Sequence, residues 1–114
     1  MEQPKRGEIW LVDFNPARGS EQAGQRPAVI VQNNVGNRVA DTTIIAALST
    51  NLRPNPTSVL VKSSEKTGLD HDSMIKASQL LTLSKSRLLN KLGEIEGASA
   101  KALNQALKKS LALD

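Results

Sequence analysis

GSEQAGQRPAVIVQNNVGNR, residues 19–38, sets a glycine-bracketed polar loop against a short apolar run and places one arginine at the junction. The ring of Pro27 excludes the helical region for the residue before it, so Arg26 is expected to be extended. Pro27 has no amide donor, which suits the first position of a strand and not its middle. Ala28-Val29-Ile30-Val31 is β-branched and bounded by polar residues, and it reads as a strand buried on both faces. Gly19 and Gly24 enclose Ser20, Glu21 and Gln22, a polar set with little to pin it, so this loop is expected to be mobile or to order on binding. A guanidinium held between such a loop and a rigid strand suits an anion site. Taken alone, Arg26 fits a solvated surface arginine better.

Working outward, Glu8–Phe14 reads as a strand between Gly7 and Asn15-Pro16, with Trp10 in the core. Asn33–Asn37 reads as a turn cluster, and Thr43–Leu48 as a second continuous apolar strand ending in Ser49-Thr50-Asn51. NLRPNPT, residues 51–57, is an irregular connection, followed by a strand over Thr57–Lys62 and a polar surface loop over residues 63–72. Residues 73–83 read as one or two strands. Residues 84–97 are ambiguous, since Leu88, Leu89 and Leu92 fit a helical face while Leu92–Ile95 fits a strand. Ser99 is expected to cap a last helix with Leu103, Ala106, Leu107, Ser110 and Leu111 on one face. The expected fold is mainly β, a small barrel-like antiparallel sheet with a C-terminal helix, in a single domain over residues 1–114.

Composition bounds the rest. One Trp, one Phe and no Tyr leave the core to Val, Ile, Leu and Ala, and leave few rings for stacking on bases. There is no cysteine, hence no disulfide or thiolate metal site, and a reducing compartment is compatible with that. The polar start MEQPKRGE and the lack of any run near the ~18 apolar residues of a membrane span predict a cytoplasmic protein with no membrane partner. A net charge of +4 favours acidic partners such as nucleic acid or an acidic polypeptide.

Metal catalysis is poorly supported, because His71 is the single histidine and the carboxylates form no ligand set. His71 reads as an exposed loop residue. The glycines of residues 19–24 precede a strand, not a helix, which excludes a Walker-type phosphate loop. An arginine with hydroxyl groups remains. If the strand that starts at Arg26 pairs antiparallel with the one that ends at Ser49, Arg26 and Ser49 or Thr50 share one rim beside the 19–25 loop. An arginine fork grips two phosphate oxygens and a hydroxyl can donate to a third. Such a site would stabilise the charge that develops when an RNA 2′-hydroxyl attacks the adjacent phosphate.

The segments KRGEIWLVDFNP (residues 5–16) and GSEQAGQRPAVIVQN (residues 19–33) resemble the signature of the MazF/PemK (Kid) family of toxin ribonucleases. The likeness runs from residue 5 to the C-terminal helix. It implies an SH3-like barrel, a homodimer and no cofactor. It also implies metal-independent, sequence-selective cleavage of single-stranded RNA, and inhibition by an acidic MazE-like antitoxin. On this resemblance the catalytic arginine falls on Arg26 and its hydroxyl partner on Ser49, where the family usually has threonine, with Thr50 as a rival. Ser20, Glu21, Gln22, Pro27, Thr50 and Gln79 are the implied RNA contacts. Ser78 stands where an acid often precedes that glutamine. A gyrase poison of the CcdB type shares the implied fold but uses a Trp-Gly-Ile tail, whereas this chain ends Leu111-Ala112-Leu113-Asp114. A catalytically silent RNA-binding relative would also keep the fold and the basic character.

Overall fold

The computed structural model describes residues 3–14 and 24–114. Within them, six strands form one antiparallel sheet: β1 (Glu8–Asp13), β2 (Gln25–Ile30), β3 (Thr42–Ser49), β4 (Ser58–Val61), β5 (Ser73–Ser84) and β6 (Leu88–Glu94). Their spatial order is β4-β5-β3-β2-β1-β6. A short helix α1 (Asn34–Val39) joins β2 to β3, a single 3₁₀ turn (Lys85–Arg87) joins β5 to β6, and the C-terminal helix α2 (Gly97–Leu111) follows β6.

The unbroken apolar runs of β2 and β3 follow from a sheet that is buried on both sides. Ile9, Val29 and Ala46 belong to a core shared with Leu103, Ala106 and Leu107 of α2. Their chain neighbours Trp10, Ile30 and Ile45 belong to a second cluster with Val12, Ala28 and Leu88. Successive side chains alternate across a strand, so a strand with two dry faces has no polar position to alternate with.

A buried carboxylate ties β1 to β6. Glu8 is 4% exposed. Its Oε1 accepts from the Trp10 indole at 3.0 Å and from the Lys5 amide at 2.8 Å, and its Oε2 lies 3.0 Å from Lys91 Nζ. Burial alone would raise the pKa of this carboxyl. The hydrogen bonds from Trp10, Lys91 and Lys5, together with the Lys91 charge, outweigh burial and hold it below its ordinary value.

The two ends of the sheet are drawn together by the segment after β4. Thr67 is buried, and its Oγ1 accepts from the Ser64 amide at 3.1 Å and donates to the Lys62 carbonyl at 3.0 Å. The Glu94 amide of β6 then donates to the Lys66 carbonyl at 3.0 Å. Gly68 has φ +69°, and a Cβ there would lie 2.0 Å from the Leu92 carbonyl oxygen, so only glycine lets this loop seat on β6. Together these contacts give the sheet the barrel-like closure expected from its many short strands.

Several elements differ from what the sequence predicts. Asn33–Asn37 is not a plain turn: Asn33 Oδ1 accepts from the Gly36 amide at 2.8 Å and caps α1. Asparagine serves turns and helix N-caps by the same side-chain bond, and buried Asn37 decides between them by accepting from Thr43 Oγ1 at 2.7 Å. Ser99 does not cap α2. Glu96 occupies that position without a side-chain bond, because Ile95, fixed by its amide to the Gly7 carbonyl at 2.9 Å, delivers the chain straight into the helix. Leu103, Ala106 and Leu107 are buried as expected, but Leu111 is 52% exposed and lies on the rim of a groove with Ile44 and Leu80. Residues 73–84 form one strand, and Leu88–Glu94 is a strand and not a helix.

Candidate active site

The β2–β3 ladder runs Ile30↔Ile45, Val29↔Ala46, Ala28↔Ala47 and stops there. Pro27 has no N–H to offer a ladder, and the next residues of β2 stay paired only with β1, as Pro27↔Leu11, Arg26↔Val12 and Gln25↔Asp13. Carried two residues further along each strand, the β2–β3 register sets Arg26 opposite Ser49. Where these two strand ends part from each other lies a cleft of about 520 Å³. One wall is Gln25, Arg26 and Pro27, and another is Leu48, Ser49 and Thr50. Leu69, Asp70 and His71 from the loop before β5, and Ser73 at the start of β5, also line it.

Arg26 is exposed, and its guanidinium has no hydrogen-bond or ion-pair partner among the described residues. Ser49 is half-buried, and its Oγ accepts from the Asn51 amide at 3.1 Å. That bond holds the oxygen in place and leaves the hydroxyl proton to point elsewhere. An unengaged cationic fork beside an oriented hydroxyl can hold a phosphodiester by three of its oxygens.

Of the residues singled out in the sequence, Arg26, Pro27, Ser49 and Thr50 meet in this cleft. Ser20, Glu21 and Gln22 lie outside the described residues. Gln79 is exposed on β5 and does not line the cleft. It falls in the three-residue excess of β5 over β3, where the pairing jumps from Ala46↔Leu80 to Ala47↔Lys76. Asp70 and His71 are additions that the sequence does not place here. His71 is exposed, as a loop histidine should be, yet it lines the same cleft as Arg26. The only local hint is the run of polar residues around it, since Gly68 and Leu69 place the loop through contacts distant in sequence. No group of three His, Cys, Asp or Glu side chains that could hold a metal ion occurs among the described residues. No helix among them is long and apolar enough to cross a membrane.

Residues 5–111 match the family model of the PemK-like, MazF-like toxin of type II toxin–antitoxin systems. The chain is 42% identical over 111 residues to the endoribonuclease MazF of Staphylococcus saprophyticus, covering 96% of this chain and 92% of the relative. To the endoribonuclease EndoA of Bacillus subtilis it is 36% identical, covering 96% and 95%. Among solved structures, a mycobacterial endoribonuclease in complex with its cognate antitoxin superposes with a TM-score of 0.81 at 31% identity, covering 97% of each chain. MazF of Deinococcus radiodurans shares the fold, with a TM-score of 0.82 at 20% identity over 99% of this chain and all of the other. On the extent of these matches, this chain belongs to the PemK-like, MazF-like toxins of type II toxin–antitoxin systems.

Proposed function

We propose that Arg26 and Ser49 carry the endoribonuclease chemistry of this toxin, on single-stranded RNA and without a metal ion. The 2′-oxygen of one nucleotide attacks the adjacent phosphorus and gives up its proton to water. The bond to the 5′-oxygen breaks, and that oxygen takes up a proton, leaving a 2′,3′-cyclic phosphate and a 5′-hydroxyl. Negative charge grows on the non-bridging oxygens as the fifth bond forms. Arg26 meets both of those oxygens with its fork, and the Ser49 hydroxyl donates a further hydrogen bond to one of them. A guanidinium stays protonated in a protein, so Arg26 acts as a clamp and donor and not as a base.

The observation that carries this reading is the meeting of Arg26, Ser49 and Thr50 in one cleft where the β2–β3 ladder ends. Pro27 and Thr50 line the RNA path there. Ser20, Glu21 and Gln22 of the preceding loop, and Gln79 beyond the cleft, extend it to flanking nucleotides. The toxin works as a homodimer, in the cytoplasm where messenger RNA is translated, and is held inactive by an acidic antitoxin. A mycobacterial relative solved with its cognate antitoxin and the net charge of +4 support that partner.

The test is incubation of the purified protein with a long RNA in EDTA, followed by mapping of the ends. Cuts at a short recurring sequence, with cyclic phosphate termini, are expected. Cleavage that EDTA abolishes and a divalent ion restores would overturn the Arg26 and Ser49 mechanism.

A further inference from the structure

A toxin that reads single-stranded RNA has to hold unstacked bases, and a ring is the usual surface for that. This chain has few. Its one Trp is 3% exposed and bonded to Glu8, and its one Phe is half-buried against the cluster that holds Trp10 and Ile30. It has no Tyr. His71 is therefore the one exposed ring in the described structure, and it stands at the cleft of Arg26 and Ser49.

Its position is held from both sides. Leu69 is buried, Ser73 is buried and donates through Oγ to the His71 carbonyl at 3.0 Å, and Asp72 Oδ1 accepts from the Ser63 amide at 2.8 Å. The ring is thus presented on an anchored wall. His71 also lines a second, adjoining cavity of about 590 Å³ with Thr50, Leu52, Ser63, Asp70 and Asp72. With Thr50 and Asp70, which also line both, it forms the ridge between the two, and Leu52, 46% exposed, is an apolar surface of the second cavity.

We propose that His71 is a specificity-determining residue, whose imidazole stacks on the base next to the scissile phosphate and seats it in the adjoining cavity beside Leu52. This rests on the reading of Arg26 and Ser49 as the cleavage site. With the phosphate on Arg26, the neighbouring nucleotide has to pass the ridge, and its base meets the ring before it meets any other exposed aromatic surface. Stacking needs the face of the ring and not its proton, so His71 binds RNA and takes no part in the bond-breaking step.

The experiment compares His71→Ala and His71→Phe with the wild type in two measurements. One is affinity for an RNA bearing a 2′-deoxynucleotide at the mapped cleavage position, and the other is cleavage of the matching all-ribose RNA. His71→Ala is expected to raise Kd and KM roughly 5- to 30-fold, the range of losing one modest base stack. It should leave kcat within about twofold and relax the base preference beside the cut. His71→Phe should restore the affinity. An unchanged Kd and cleavage map in His71→Ala would overturn the proposal. So would a fall in kcat that Phe does not rescue, which would make His71 a proton-transfer group. If Arg26→Ala cleaves like the wild type, the cleavage site itself is elsewhere, and the His71 proposal falls with it. If Arg26→Ala is inactive while His71→Ala binds normally, only the stacking fails.

Discussion

The backbone amide of Asn51 donates to Oγ of Ser49 at 3.1 Å, two residues back along the chain. A serine lacks the methyl group that restricts χ1 in threonine, and this bond supplies the missing restraint. Ser49→Ala should then lower kcat by about 10²–10³, the range for loss of one transition-state donor, while Ser49→Thr keeps most of the activity. Thr50→Ala should cost less, because Thr50 is exposed at the cleft edge. Initial rates on an oligonucleotide with one cleavage site decide it, and a larger loss in Thr50→Ala would exchange the two roles.

Arg26→Ala should lose about 10²–10³ in kcat by the same reasoning. Arg26→Lys is not expected to rescue it, since an ammonium is a point charge and cannot hold two oxygens at once. Single-turnover rates at saturating RNA separate this from weakened binding. A lysine variant near wild-type rate would show that charge alone suffices.

Glu8 makes stability sensitive to acid. Its carboxyl is held below its ordinary value of 4.5 in the folded protein, so the ionised form favours folding. That contribution is complete above the unfolded value and is lost as pH falls through the folded one. Glu8→Gln should be less stable at pH 7 by about 1.5–3 kcal/mol, the range for a hydrogen bond to a charged group. The gap from wild type should close below pH 4.5. Urea unfolding at a series of pH values measures this, and a gap independent of pH would contradict it.

Gly68→Ala should destabilise the fold by at least roughly 2 kcal/mol, because the new Cβ meets a backbone carbonyl and the φ is left-handed. The loop that carries His71 should shift with it. Thermal melting should therefore fall together with RNA affinity, and a stable variant with unchanged affinity would show that the loop tolerates displacement.

The apposition of Arg26 and Ser49 is legible in the sequence, because Pro27 sets where the strand begins and consecutive strands tend to pair antiparallel. The register of Ala28 against Ala47 agrees with that pairing. Local rules fail where one side chain serves two motifs. Asn33 suits a turn and a helix cap alike, and the bonds of buried Asn37 to Gln32 and Thr43 select the helix. Ser99 satisfies the rule for a cap, but the anchoring of Ile95 starts the helix three residues earlier. His71 shows the same limit at the site. Its neighbours in sequence are polar and say only "loop", while its place in the cleft depends on Gly68 seating against Leu92, a contact between residues far apart in the chain.

A sheet with two ends normally offers two rows of unpaired amides and carbonyls on which a foreign strand can grow. Here β4 is only four residues long and packs against α2, and β6 is offset twice in its register with β1 and has its Glu94 amide taken by Lys66. Short, covered and irregular edges are poor templates for edge-to-edge addition. The loop that closes the barrel and carries His71 therefore also occupies the β6 edge where a foreign strand would add.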